Sequence, residues 1–309
     1  MTEQRYPEAA PDSLSGILTG ISAYLIWGLS PVYWKVLTRV PAFEIILHRI
    51  IWSFLFLLLL MAVRRQLLHL FAILKNPKLL LILSGTALLV SVNWTTYIWS
   101  VNNGYILQAS LGYYINPLVN VLLGMLFLHE RLRRLQLIAV LLAASAVLYL
   151  TVFYQVFPWV SLTLAFSFGF YALIRKKASV TSLPGLTIET MVLSIPAAIY
   201  LFYLHREGQG SLGTYDVVID LMLIGTALVT AVPLLLFNVA GKRLMLATLG
   251  FLQYLAPTCM FLIGVVLWGN ELVPAQLISF GLIWVALALY SLDSVYTYRV
   301  THRKIVISS

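Results

Sequence analysis

Apolar runs of 19 to 25 residues, separated by short polar breaks, fill the chain from residue 14 to residue 296. A helix that crosses a bilayer needs about 20 consecutive apolar residues. The pattern therefore predicts spans at 14–34, 43–63, 78–100, 104–128, 132–153, 156–174, 186–204, 217–238, 244–268 and 274–296. The breaks carry turn formers: Pro41, Asn76–Pro77, Asn102–Asn103–Gly104, Pro184–Gly185 and Gly208–Gln209–Gly210. Phe54–Met61 is apolar at every position, which excludes the alternation of a membrane β-barrel strand. Residues 1–13 and 297–309 are polar enough to read as tails. The first run is too long for a signal-peptide core and no small-residue cleavage site follows it, so a retained helix is expected.

Composition narrows the class. Hydrophobic residues make up 61% of the 309 and charged residues 10%, against roughly 45–50% and about 25% in soluble proteins. So few charges could not cover that much apolar surface in water, so a soluble enzyme is excluded, as is disorder. The single cysteine, Cys259, lies in an apolar run and reads as a small buried hydrophobe.

The formal net charge is +9. In a soluble domain it would point to nucleic acid; in a membrane protein the question is where the cations lie. With the N-terminus placed inside, the inner loops hold Arg64, Arg65, Lys75, Lys78, then Arg131, Arg133, Arg134, then Arg175, Lys176, Lys177, then Lys242 and Arg243. The tails add Arg5, Arg299, Arg303 and Lys304, which makes sixteen of the 20 Lys and Arg. The outer loops hold Lys35, Arg39 and Arg206, and Arg49 lies within the second span. An odd number of spans would scramble this bias. Ten spans are expected, with both termini cytoplasmic, in a multi-pass membrane protein.

The chain also repeats itself. Gly85–Thr86–Ala87–Leu88 recurs as Gly225–Thr226–Ala227–Leu228, Ala109–Ser110–Leu111–Gly112 as Ala247–Thr248–Leu249–Gly250, and Pro117 as Pro257. Trp27–Gly28 is echoed by Phe168–Gly169, Glu130 by Glu271 and Gln136 by Gln276. Each half, 14–153 and 156–296, holds five predicted helices, and five is odd, so the second half must enter the membrane upside down. Charge agrees: three arginines follow span 4, whereas its counterpart span 9 is followed by Glu271 and no cation. The expected fold is all-α, ten transmembrane helices in two inverted five-helix repeats. Many secondary transporters use such repeats, with a site at the interface that opens to either side; a duplication kept only for packing is the alternative.

Polar residues inside the spans are the candidate chemistry. Arg49 in lipid would cost at least about 2.5–3.5 kcal/mol at a central position, so it should face the bundle. It reads either as a cation for an anionic or polarised substrate group or as a structural ion-pair partner. Glu44 and His48, four apart on one helix face, are proton-coupling candidates or a fixed hydrogen-bonded pair. Asn93, Thr96, Tyr97 and Ser100 form one polar stripe, with Trp94 nearby. Gln108, Gly112, Asn116 and Asn120 form another, with Tyr113 beside it. These stripes suit a mid-membrane cavity or interhelical hydrogen bonds. Pro117 should free a backbone carbonyl near Tyr113. Trp27 in the first span, Lys35 at its outer end, and Asn238 and Tyr254 in the second half are further substrate-binding candidates. Glu189 is a third proton-coupling candidate. Glu130, beside three arginines, reads as a loop salt-bridge partner.

The sequence resembles the RarD family within the EamA-type drug/metabolite transporter superfamily. The likeness rests on Trp27–Gly28 with Pro31, Tyr33 and Lys35; Glu44 with His48–Arg49; Asn93–Trp94 with Tyr97 and Trp99; Ala109–Pro117; and His129–Leu132. It covers nearly the whole chain and is densest in the first half. The resemblance implies a ten-helix inner-membrane carrier, of a kind often labelled chloramphenicol-sensitivity or resistance permeases. The function expected is a secondary transporter that exports small amphipathic metabolites or drug-like compounds by alternating access. A non-transporting membrane sensor or assembly partner is the alternative. The partners expected are a small-molecule substrate, the lipid bilayer, protons and a second copy of the chain, but no nucleic acid. No P-loop, HExxH or nucleophile elbow occurs, so no enzyme activity, cofactor or metal is expected.

Overall fold

The computed structural model describes residues 13–155, 157–269, 271 and 273–308, leaving aside the side chains of residues 106, 295 and 297–308. Its helices are α1 (Leu14–Val36), α2 (Ala42–Val63), α3 (Leu67–Leu74), α4 (Pro77–Asn102), α5 (Ile106–Leu128), α6 (Arg134–Tyr154), α7 (Trp159–Lys177), α8 (Ser182–Arg206), α9 (Val217–Arg243), α10 (Leu246–Gln253), α11 (Leu255–Val266) and α12 (Pro274–Ser308). No strand occurs among the described residues. Nine segments among them are long and apolar enough to cross a membrane, with α10 and α11 forming one of the nine. The tenth crossing is α7, whose 19 residues end in Arg175, Lys176 and Lys177. It packs between α4 and α5, which both cross.

Three helix starts are closed by side chains that accept from the backbone N–H groups left without a partner there. Ser13 caps Gly16 N at 3.1 Å, Asn76 caps Leu79 N at 3.1 Å and Asp216 caps Ile219 N at 2.9 Å. Several elements differ from the sequence reading: the span 244–268 is split into α10 and α11, and Pro184–Gly185, read as a break, lies in the first turn of α8. The loop after α2 contains α3, too short to cross; Leu70 and Ile73, three apart, bury its inner face. The tail expected at 297–309 continues α12 to Ser308. Residues 1–12 of the other tail lie outside the described residues.

The packing obeys the exchange of one half for the other. Contacts of α1 with α9 are matched by α7 with α4, of α1 with α10 and α11 by α7 with α5, and of α2 with α9 by α8 with α4. The pairs α2–α8, α5–α10 and α6–α12 map onto themselves. Residues follow the helices. Thr86 and Thr226, both fully buried, each donate to the carbonyl three residues back, Leu83 and Leu223. Gly28 abuts α11, where an added Cβ would stand 2.6 Å from Cys259 Cβ. Its counterpart Gly169 abuts α5, where a Cβ would stand 2.8 Å from Val119 Cγ1. Helix association in lipid relies on such close approach of small residues. Ala139, Ala143 and Ala146 do the same on α6 against α12.

The ends of α2, α7 and α9 that carry Arg64, Arg175–Lys177 and Lys242–Arg243 meet at one end of the bundle, called here the basic end. The far end carries Lys35, whose Nζ sits 4.8 Å from the Trp268 ring, and the loop after α8. Large apolar side chains such as Leu59, Val63, Leu81 and Ile199 point outward, as a lipid-facing belt requires.

Candidate functional site

α2 enters the bundle at the far end and carries Arg49 seven residues in, about 10 Å along the axis at 1.5 Å per residue. The guanidinium lies between two indoles, 4.9 Å from the Trp34 ring and 4.8 Å from the Trp94 ring. Its Nε donates to Thr230 Oγ1 at 2.9 Å, joining α2 to α9. No carboxylate of the described residues lies within ion-pair distance. A guanidinium has five donors, so most remain for a ligand. Tyr97 and Tyr113, ring to ring at 6.1 Å, lie within its electrostatic reach. Both line a cavity of about 290 Å³ bordered also by Ser110, Met260 and Glu271. Trp34 and Thr230 were not among the sequence candidates. Trp34 lies one turn pair beyond Trp27 on α1, a spacing that could have pointed to it.

The other candidates divide into three groups. Asn93 and Gln108 tie helices together, and Asn116 bonds Asn120 of its own helix, which does the same. Asn93 Nδ2 donates to Leu164 O at 2.8 Å and Ser167 Oγ at 3.1 Å on α7. Gln108 Oε1 accepts from Val160 N at 3.2 Å, closing the start of α7. Asn120 Nδ2 bridges Asn116 Oδ1 at 3.4 Å and Gln253 Oε1 at 3.0 Å. Tyr254 is fully buried and its hydroxyl donates to Tyr114 O at 3.1 Å. α5 runs unbroken through Pro117; the break falls in the second half, at Tyr254. The Pro117 carbonyl faces Gly250, where a Cβ would stand 2.8 Å from it.

Glu44 and His48 form the second group, at the far end. Glu44 is buried, accepting from Ser211 N at 2.7 Å and Ser211 Oγ at 2.6 Å. His48 Nε2 lies 3.5 Å from Glu44 Oε1, and His48 Nδ1 accepts from Trp52 Nε1 at 3.3 Å. The carboxylate thus anchors the loop after α8 to α2.

The third group ties α4, α7, α8 and α9 together at the basic end. Arg175 Nε lies 3.3 Å from Glu189 Oε1 and donates to Asn238 Oδ1 at 3.1 Å. Glu189 also accepts from Thr86 Oγ1 at 2.6 Å and Tyr171 OH at 3.3 Å. Asn238 Nδ2 donates to Tyr171 OH at 2.8 Å. Every member is buried. Arg175 was expected among the inner-loop cations; it is 2% exposed and belongs to the core. Lys176 Nζ donates to Gly241 O at 3.0 Å and to Leu244 O, and Lys242 Nζ to Lys176 O at 3.1 Å and to Ala178 O. Glu130 also works here rather than lying out in a loop. His129, left-handed at φ 54°, turns the chain, and Glu130 accepts from Leu246 N at 2.6 Å and Ala247 N at 3.0 Å, capping α10. In the same core, Trp27 packs with Tyr24, Phe168 and Phe237, and Phe237 stacks on Tyr171 of the basic-end cluster.

Comparison with known proteins sets this geometry in context. Residues 14–152 match the EamA-like transporter family. Protein RarD of Escherichia coli strain K12 is 45% identical over 294 residues, covering 95% of this chain and 99% of that protein. An uncharacterized transporter of Pseudomonas aeruginosa is 47% identical over 279 residues, covering 90% and 94%. A crystal structure at 20% identity superposes with a TM-score of 0.70 over 91% of this chain and 98% of the other, a likeness of fold.

Proposed function

The chain belongs to the RarD family of EamA-type membrane transporters, and from that premise we propose that it is a secondary carrier. It exports small amphipathic compounds bearing an anionic or strongly polarised group. The observation that carries this reading is the Arg49 guanidinium, held between Trp34 and Trp94 with one side-chain hydrogen bond and no carboxylate partner among the described residues. A carboxylate or polarised oxygen of the substrate would complete it, as charge-assisted bonds are the strong ones. Tyr97 and Tyr113 would enclose the apolar body. Trp27, Trp94, Asn93, Gln108 and Asn116 would shape the walls and hold α7 in place, and Lys35 would stand at the entrance.

Alternating access is the proposed mechanism. The two halves pack in an exchangeable way, so the contacts made at one end have counterparts at the other. The Arg175–Glu189–Asn238–Tyr171 cluster supports a state in which the basic end is shut. On this reading the basic end faces the cytoplasm, with both termini inside, and each repeat, 14–153 and 156–296, moves as a unit. Glu189, Glu44 and His48 are the proposed proton carriers. Glu189 is favoured, because neutralising it would remove the charge that holds Arg175 across the closed end.

Transport of radiolabelled chloramphenicol in proteoliposomes tests the reading. The wild-type chain should accelerate movement, more so under an imposed pH gradient, and Arg49→Ala should abolish the acceleration. Equal rates for Arg49→Ala and wild type would remove the site. Indifference to the gradient would remove the proton coupling and leave facilitated diffusion.

A further inference from the structure

Arg49 bonds Thr230, so α2 and α9 are joined near the far end. Toward the basic end they part, and a groove of about 840 Å³ opens between them and the segment that links α7 to α8. Its chemistry changes along its length. The deep wall is apolar, made of Phe56 and Leu60 on α2 and Leu235, Leu236 and Val239 on α9. The mouth is polar, with the cations Arg64, Lys242 and Arg243 and the hydroxyls of Ser179, Thr181 and Ser182. Among the described residues, no Asp or Glu lines it.

Its dimensions match one leaflet. From Phe56 to Arg64 is eight residues, about 12 Å of helix, and from Val232 to Lys242 is ten residues, about 15 Å. Half of a bilayer's hydrocarbon core is also about 15 Å. The cations therefore stand at headgroup level when the apolar wall stands at acyl-chain depth. The groove opens beside Leu59 and Val63, which are on the lipid-facing side of α2. Arg64 has no side-chain hydrogen bond or ion pair among the described residues. Arg243 Nη1 donates to Ser15 Oγ at 3.0 Å, which leaves its other donors available. Lys242 Nζ already serves two carbonyls and retains one N–H.

We propose that this groove is a binding site for an anionic phospholipid of the leaflet at the basic end. The phosphate is held by Arg64 and Arg243, and one acyl chain lies along Phe56, Leu60, Leu235 and Val239. Charge complementarity commits the site to an anionic headgroup, since basic pockets between transmembrane helices on that side attract such lipids. The apolar wall distinguishes it from a site for a free anion. The groove shares no lining residue with the cavity beside Arg49, so the proposal is independent of which compound the protein carries. A lipid seated here would wedge α2 from α9 at the basic end while Arg49 and Thr230 hold them together at the other.

The test uses the full chain purified in detergent, with phosphatidylglycerol, phosphatidylcholine and inorganic phosphate as separate additions. Phosphatidylglycerol should raise the melting temperature by several degrees more than phosphatidylcholine, and native mass spectrometry should retain it. The double variant Arg64→Gln/Arg243→Gln should bind it roughly thirtyfold more weakly, at about one lost phosphate attraction per cation. Lys75→Gln, on the same side but outside the groove, should behave as wild type. A phosphatidylglycerol carrying a diazirine on its acyl chain should crosslink the wild-type chain within 56–60 or 235–239, a readout that does not need the double variant to fold. Equal stabilisation by both lipids, full replacement by inorganic phosphate, or crosslinks confined to other helices would each overturn the assignment.

Discussion

Trp27 and Phe168 meet ring to ring at 6.0 Å, nearly at right angles, although they stand at the same place in the two repeats. Tyr114 and Tyr254, also counterparts, meet through a hydrogen bond, the hydroxyl of the second donating to the backbone carbonyl of the first. A residue can touch its own counterpart only close to the axis that relates the halves. These two contacts therefore mark that axis, one in the aromatic core and one where α5 passes the break between α10 and α11.

The axial aromatic pair should be coupled energetically. Trp27→Ala and Phe168→Ala should each destabilise the chain, and the double variant should fall short of their sum by about 0.5–1.5 kcal/mol. Thermal unfolding of the four proteins in detergent measures it. Strict additivity would show that the ring contact contributes nothing of its own.

At the proposed substrate site, Arg49→Lys should weaken binding of an anionic amphipathic probe almost as much as Arg49→Ala, because an ammonium lacks the planar face that fits between Trp34 and Trp94. Thr230→Val removes one bond to a charged group, about 1.5–3 kcal/mol. It should lower affinity roughly tenfold or more while leaving the fold intact. Isothermal titration of the purified variants distinguishes these outcomes from a purely structural role, in which Lys would restore function.

Removing one partner of the buried Arg175–Glu189 pair should cost about 3–5 kcal/mol, because the other charge is left without compensation. Arg175→Ala should also open the basic end. A cysteine introduced at Leu183 should then react faster with a water-soluble maleimide than it does in the otherwise wild-type chain. Arg175→Met with Glu189→Met should recover much of the lost stability, because a well-packed apolar pair replaces the ionic one.

Glu130→Ala should destabilise by about 1–3 kcal/mol, since two buried backbone N–H groups at the start of α10 lose their acceptor. Glu130→Gln keeps one acceptor oxygen and should cost less. An effect within about 0.5 kcal/mol for Glu130→Ala, the size expected of an exposed loop residue, would contradict the capping role.

Gly28→Ala and Gly169→Ala should behave alike although they lie 141 positions apart. Each places a Cβ within 2.6–2.8 Å of a packed neighbour, an overpacking that typically costs 1–3 kcal/mol. Gly85→Ala, which would meet nothing within 4 Å, is the matched control and should be tolerated.

Much of this architecture was legible from one dimension. Crossing a bilayer demands a long apolar run, so ten runs predicted ten crossings within a few residues at most boundaries. α3 was missed because eight residues leave no hydropathy signal that separates a buried helix from a loop. The inverted repeat was legible because five crossings per half force it and the cations record it. Of the candidate site, Arg49, Trp94, Tyr97 and Tyr113 share one place in the fold, whereas Asn93 and Gln108 turn out to bridge helices and Asn116 to bond Asn120 on its own helix. Spacing along one helix ranks residues by face, and it carries no information about which other helix that face meets.

The sequence alone thus determined the class, the number of crossings and the antiparallel relation of the halves, because each follows from the cost of placing polar groups and charges in hydrocarbon. Tertiary structure decided the pairings. It set Arg49 between Trp34 and Trp94, drew Arg175 out of the loop and onto Glu189, and turned Glu130 under α10. Those contacts join residues 14 to 181 positions apart. Helices in lipid choose their neighbours by close packing and shared hydrogen bonds, and both exist only once the helices are side by side.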